Sequence, residues 1–86
     1  MAKVYVLTIN SVSDYSGSEE IKVYSTKKKA QAAMRKSYKA EKDDWESAFG
    51  DGGIDCDYSA MEASIQRRYE YARDHIDYLI TECEIE

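Results

Sequence analysis

The residues with the most chemistry to offer are His75, Cys56, Cys83 and a dense set of carboxylates. A histidine and a thiol within hydrogen-bond reach make a base–nucleophile pair. On one extended segment His75 and Cys83 are held ~26 Å apart, so they do not act together. Cys56 reaches His75 only through tertiary folding. The run Gly50-Asp51-Gly52-Gly53 has the glycines of a phosphate cradle but lacks the lysine and the serine or threonine that complete one. Read as a calcium loop starting at Asp51, the chain puts Asp51, Asp55, Asp57 and Glu62 at ligand positions 1, 5, 7 and 12. Gly53 then falls at another ligand position, and Cys56 stands where an EF-hand has its glycine. An acid–base pair needs one carboxyl buried with a raised pKa, and these carboxylates fall on surface expected to be wet. The expectation is a non-enzyme, with no catalytic residue, no metal ligand and no cofactor; a calcium-binding loop protein is one alternative.

The chain of 86 residues carries 17 acidic and 12 basic side chains, a formal charge of −5. That length holds one domain with one small core, here 1–86. No apolar run nears the ~18–20 residues that span a bilayer, and no signal-peptide core follows Met1-Ala2-Lys3. A cytoplasmic protein is expected, with no membrane partner. Two cysteines are too few for a disulfide framework and are read as free thiols. Eight tyrosines supply much of the large side-chain volume, and tyrosine suits half-wet packing.

Charge is segregated along the chain. Residues 27–39 hold Lys27, Lys28, Lys29, Arg35, Lys36 and Lys39 and no acid. Residues 41–62 hold eight acids against Lys42 alone. On a helix this polarity opposes the dipole, costing roughly 0.3–1 kcal/mol per misplaced charge before screening. Local helix stability does not explain it. A recognition surface does, and so does a plain solvated face.

The elements that must carry these charges follow from periodicity. Residues 3–12 are β-branched and aromatic, with Tyr5, Leu7 and Ile9 on one face and Val4, Val6 and Thr8 on the other. A turn cluster from Asp14 to Glu19 leads to a second strand over 20–24. After Ser25-Thr26, Ala30, Met34, Tyr38, Trp45 and Phe49 form a helical stripe, predicting a helix over 27–49 that ends at Gly50. Residues 75–85 alternate as a strand. Between them, Tyr58, Met61, Ile65, Tyr69 and Ala72 recur at helical spacing, while Met61, Ala63 and Ile65 alternate as in a strand.

The segments KVYVLT (3–8), KVYSTKKKA (22–30), EASI (62–65) and YLITECEIE (78–86) resemble a group of small proteins from bacteria, their phages and mobile elements. The resemblance implies a hairpin, a helix and a second hairpin, with strands over 60–69 and 75–85 joined near Tyr71-Ala72-Arg73-Asp74. The expected fold is α+β, ββαββ, a four-stranded antiparallel sheet with one long helix on one face; ββααβ is the alternative. Small acidic proteins of this kind include inhibitors of nucleases, anti-CRISPR proteins among them. The expected function is accordingly a protein-binding module that inhibits a host defence nuclease by covering its basic nucleic-acid-binding surface. Glu41, Asp43, Asp44, Glu46, Asp51, Asp55 and Asp57 are the expected partner-binding residues. Direct nucleic-acid binding is the opposite reading, using the basic helix start with Arg67, Arg68 and Arg73 beside Tyr69 and Tyr71. The uncovered sheet face offers a homodimer contact.

Overall fold

The computed structural model describes residues 2–12, 17–67 and 74–85. Its element order is β1 (Ala2–Val12), β2 (Gly17–Tyr24), α1 (Lys27–Phe49), a short 3-10 turn (Asp51–Gly53), β3 (Ile54–Tyr58), β4 (Glu62–Arg67) and β5 (His75–Ile85). The strands form one antiparallel sheet in the order β2-β1-β5-β4-β3. The α+β class, the antiparallel sheet and the single long helix are as expected; the strand count is corrected from four to five. The added strand is β3, within a stretch whose glycines and aspartates read as a loop. Ile54, Cys56 and Tyr58 alternate with Asp55 and Asp57, the pattern of a strand half-buried on one side. The ββααβ alternative fails because Glu62–Arg67 is extended and pairs with both β3 and β5. That pairing also removes the exiting helix a calcium loop requires. The turn residues Asp14, Tyr15 and Ser16 lie outside the described residues. So do Arg68, Tyr69, Tyr71, Ala72 and Arg73 of the expected strand end, hairpin joint and nucleic-acid reading.

Helix α1 forms where the stripe was read. Ala30, Met34 and Tyr38 are buried, and Ala33, Trp45 and Phe49 pack against the core as partly buried neighbours. Facing them from the sheet are Leu7, Ile54, Ala63, Ile65, Ile76, Tyr78 and Ile80. The Ser37 hydroxyl lies 3.2 Å from that of Tyr78, fixing the helix over β5. Thr26 caps the N-terminus, its hydroxyl accepting from the Lys29 N–H at 3.2 Å. At the other end the Gly50 N–H donates to the Glu46 carbonyl at 2.8 Å. Gly50 has φ 82 and ψ 160, a region essentially restricted to glycine. Neither end has a favourable charge: the first turn holds no acid and the last no base. The caps and the apolar stripe hold the helix against its dipole. Among the described residues no helix is long and apolar enough to cross a membrane.

Removing the cap isolates that contribution. Thr26→Ala is expected to cost about 1 kcal/mol, lowering the melting temperature by about 4–8 °C. Thermal unfolding followed by circular dichroism checks it, with Thr26→Ser expected to retain most of the stability.

Candidate docking face of the sheet

Strand alternation and register together sort every described strand residue onto one of two faces. The buried residues of β1, β3, β4 and β5 all point toward α1. The opposite face is set by the pairings Val4 with Cys83, Val6 with Thr81, Thr8 with Leu79 and Asn10 with Asp77. Beside these come Ile21 next to Thr8, and Val23 next to Val6. On the far side Glu62 adjoins Leu79, Ser64 adjoins Asp77, and Asp57 adjoins Ser64. Nothing described covers this face. Ile21 is 59% exposed, Val23 61% and Leu79 48%.

Charge is sorted with the same parity. Lys3, Lys22 and Arg67, the lysines and arginine of the described strands, all have the parity of the helix side. There Lys3 pairs with Glu82 at 3.2 Å, Lys22 with Glu20 at 3.3 Å and Arg67 with Asp74 at 3.5 Å. Lys3 and the Tyr5 hydroxyl hold the Glu82 carboxyl below its ordinary pKa. The open face instead carries Glu19, Asp55, Asp57, Glu62 and Asp77, and no lysine or arginine among the described strand residues. Asp57, Asp77 and Glu19 stand in one row across the sheet, separated by Ser64 and Asn10. Successive carboxylates of that row are two strands apart, about 10 Å. Next to it is a shallow concavity of about 590 Å³, lined by Asn10, Asp57, Ser59, Glu62, Asp77 and Leu79 among others. Its rim is set by the β3–β4 turn, where the Ser59 N–H and hydroxyl both donate to the Glu62 carbonyl, at 2.8 and 3.0 Å. Gln31 ties that turn to the helix by donating to the Ala60 carbonyl at 3.0 Å.

The seven carboxylates expected to form one patch are distributed over both sides. Asp55 and Asp57 lie on the open face through β3. Glu41 and Asp44 flank the helix, lining a groove with Ser11, Val12 and Asp74. Asp43 is exposed on the helix. Glu46 is half-buried and 3.8 Å from Lys42. Asp51 falls in the 3-10 turn between the two groups. Glu19, Glu62 and Asp77, by contrast, join Asp55 and Asp57 on the open face. Alternation alone marks each of them as outward within its own strand. Only the register of strands distant in sequence shows that they share a surface.

Beneath the sheet, the Tyr38 ring packs 4.9 Å from that of Tyr58 and 6.3 Å from that of Tyr78. Burial pushes the Tyr38 phenol up to about 12, helped by the adjoining Cys56 thiol and the charges of Asp57 and Glu46. Tyr78 is raised for the same first reason, burial, against a lowering hydrogen bond with Ser37. Cys56 and His75 have opposite parities and lie on opposite faces, so the tertiary fold does not bring them together. His75 Nε2 is instead 3.4 Å from Asp77 on its own strand. Of the residues behind the nucleic-acid reading, Arg67 lies 4.2 Å over the Phe49 ring. Lys27, Lys28, Lys29, Arg35, Lys36 and Lys39 are exposed on the helix.

A raised phenol pKa means the folded state holds its proton more tightly than the unfolded chain. Tyr38 therefore stabilises fully below about 10, the unfolded value. That contribution fades as pH climbs toward about 12. Urea midpoints measured across this alkaline range are expected to fall with pH, and Tyr38→Phe to flatten part of the fall.

Comparison with known proteins finds no matching family model, no matching curated protein and no matching solved structure.

Proposed function

We propose that this chain is an acidic protein-binding module that inhibits a host defence nuclease, in the manner of anti-CRISPR proteins, by covering its basic nucleic-acid-binding surface. The observation that supports this reading is the open sheet face, where five carboxylates stand beside exposed isoleucine, valine and leucine with no strand lysine or arginine among them. Contiguous exposed apolar surface beyond a few hundred Å² marks interaction sites. The carboxylates supply orientation and association rate, attracting a basic cleft over about 8–10 Å at physiological salt. The mechanism is occlusion: the module fills the groove that phosphates would occupy, and no bond is made or broken. Asp43, Asp44, Glu41 and Glu46 on the helix, with Asp51 at its end, extend the negative field around the edge from Asp55 and Asp57.

Affinity capture from a host lysate, followed by challenge with duplex DNA and with rising salt, tests the proposal. The captured protein is expected to bind nucleic acid and to be displaced by both. The paired reversal Asp57→Lys and Asp77→Lys is expected to weaken capture more than Asp43→Lys with Asp44→Lys. Capture indifferent to salt and to DNA overturns the mimicry. A larger loss from the Asp43 and Asp44 pair moves the contact to the helix end.

A further inference from the structure

The edges of the sheet differ in a way that the docking face does not explain. Strand β2 pairs with β1 on one side, and no described element lies on its other side. Seven of its eight residues are exposed. An edge strand of this length offers unpaired N–H and C=O groups to another strand, and proteins blunt such edges with charge. On the helix-side parity of β2, Glu20 and Lys22 flank Ile21, which itself points to the open face with Glu19.

Two copies pairing edge to edge, antiparallel about a two-fold axis normal to the sheet, keep each residue opposite one of the same face. A residue must then sit on the axis. With Glu20 on the axis, the two Glu20 side chains face each other. With Lys22 there, two lysines do. With Ile21 on the axis, Glu20 of each copy faces Lys22 of the other, and Ile21 packs against itself. Directly opposite unlike charges stabilise an antiparallel pair and like charges destabilise it. Among these three neighbouring registers the charges select one. The other edge behaves in the reverse sense. Centring β3 on Cys56 sets Asp55 against Asp57 of a copy, twice over. One edge is self-complementary and the other self-repelling.

We propose that this protein forms a symmetric dimer by antiparallel pairing of β2 with β2 of a second copy, in the register that places Ile21 on the two-fold axis. The pairing joins the sheets into one of ten strands. Because the axis is normal to the sheet, both open faces lie on the same side. Ile21 and Val23 of the two copies then meet at the centre, each Val23 opposite Glu19 of the other copy, with Asp55, Asp57, Glu62 and Asp77 farther out on each side. A single strand pair is a small interface, so the dimer is concentration-dependent. The inference rests on the register and is independent of any partner protein.

Sedimentation equilibrium of the whole chain over a concentration series tests it. The parent is expected to shift from monomer to dimer. Lys22→Glu is expected to weaken dimerisation at least about fivefold, since both cross-strand pairs change sign together. Glu20→Lys is expected to do the same, and the two substitutions combined to restore it. In a Cys56→Ser, Cys83→Ser background, Ile21→Cys is expected to form a disulfide dimer on oxidation, because paired Cα atoms ~4.5–5.5 Å apart fall in the range a disulfide spans. Val23→Cys, opposite Glu19 of the copy, is not. A chain monomeric at every concentration overturns the proposal. So does a dimer lost on Leu79→Lys but indifferent to charge at positions 20 and 22, which would place the contact on the open face.

Discussion

One helix covers one face of a sheet, and nearly everything else about this molecule follows from that. The apolar stripe Ala30, Met34 and Tyr38 supplies a single second layer, and the inward residues of four strands, among them Leu7, Ile65, Tyr78 and Ile80, close against it. Domains are normally built so that each apolar sheet face meets another layer. Here β1 is flanked on its open side by Ile21, Val23 and Leu79, which remain in contact with water. Strand β2 makes the asymmetry sharpest: Ile21 and Val23 face away from the helix, Glu20 and Lys22 face toward it, and only Tyr24 packs against the core. A strand whose only role was to widen the core would be patterned the other way.

Electrostatics follows the same division. On the helix side, strand lysines and Arg67 find carboxylates within salt-bridge distance, so charge there is locally balanced. On the open side the described strands present carboxylates without a lysine or arginine among them, His75 lying beside Asp77. Exposed ion pairs contribute little to stability, roughly 0–1 kcal/mol each, so this uneven distribution costs the fold little. What it changes is the field, which is felt by an approaching molecule rather than by the core. The helix adds to this polarity at its own expense, with lysines over its first half and acids over its second. Capping by Thr26 and Gly50 and the buried stripe keep it folded regardless.

The first strand, the helix and the last strand were legible because each has a long, clean period: two in 3–12 and 75–85, close to 3.6 in 27–49. Strand β3 was not, because its five residues contain two aspartates and follow Gly52-Gly53, and turn chemistry hid the alternation of Ile54, Cys56 and Tyr58. Periodicity over 58–73 favours a helix, and over Glu62–Arg67 pairing with β3 and β5 overrides it, a tertiary effect that local pattern does not contain. The candidate surface was legible only in part. Asp55 and Asp57 stood out within an acidic run. Glu19 and Asp77 stood in unrelated segments and meet on one face solely through the registers of β1 with β2 and of β1 with β5.

The central claim is that the sheet is covered on one side and open on the other. Side-chain methyl NMR in the presence of a soluble paramagnetic cosolute, at dilution that favours monomer, reads this directly. Strong broadening of Ile21, Val23 and Leu79 methyls with protection of Leu7, Ile65, Ile76 and Ile80 is the expected result. Protection of both sets alike would mean that a second layer covers the sheet and that the acidic face is no docking surface.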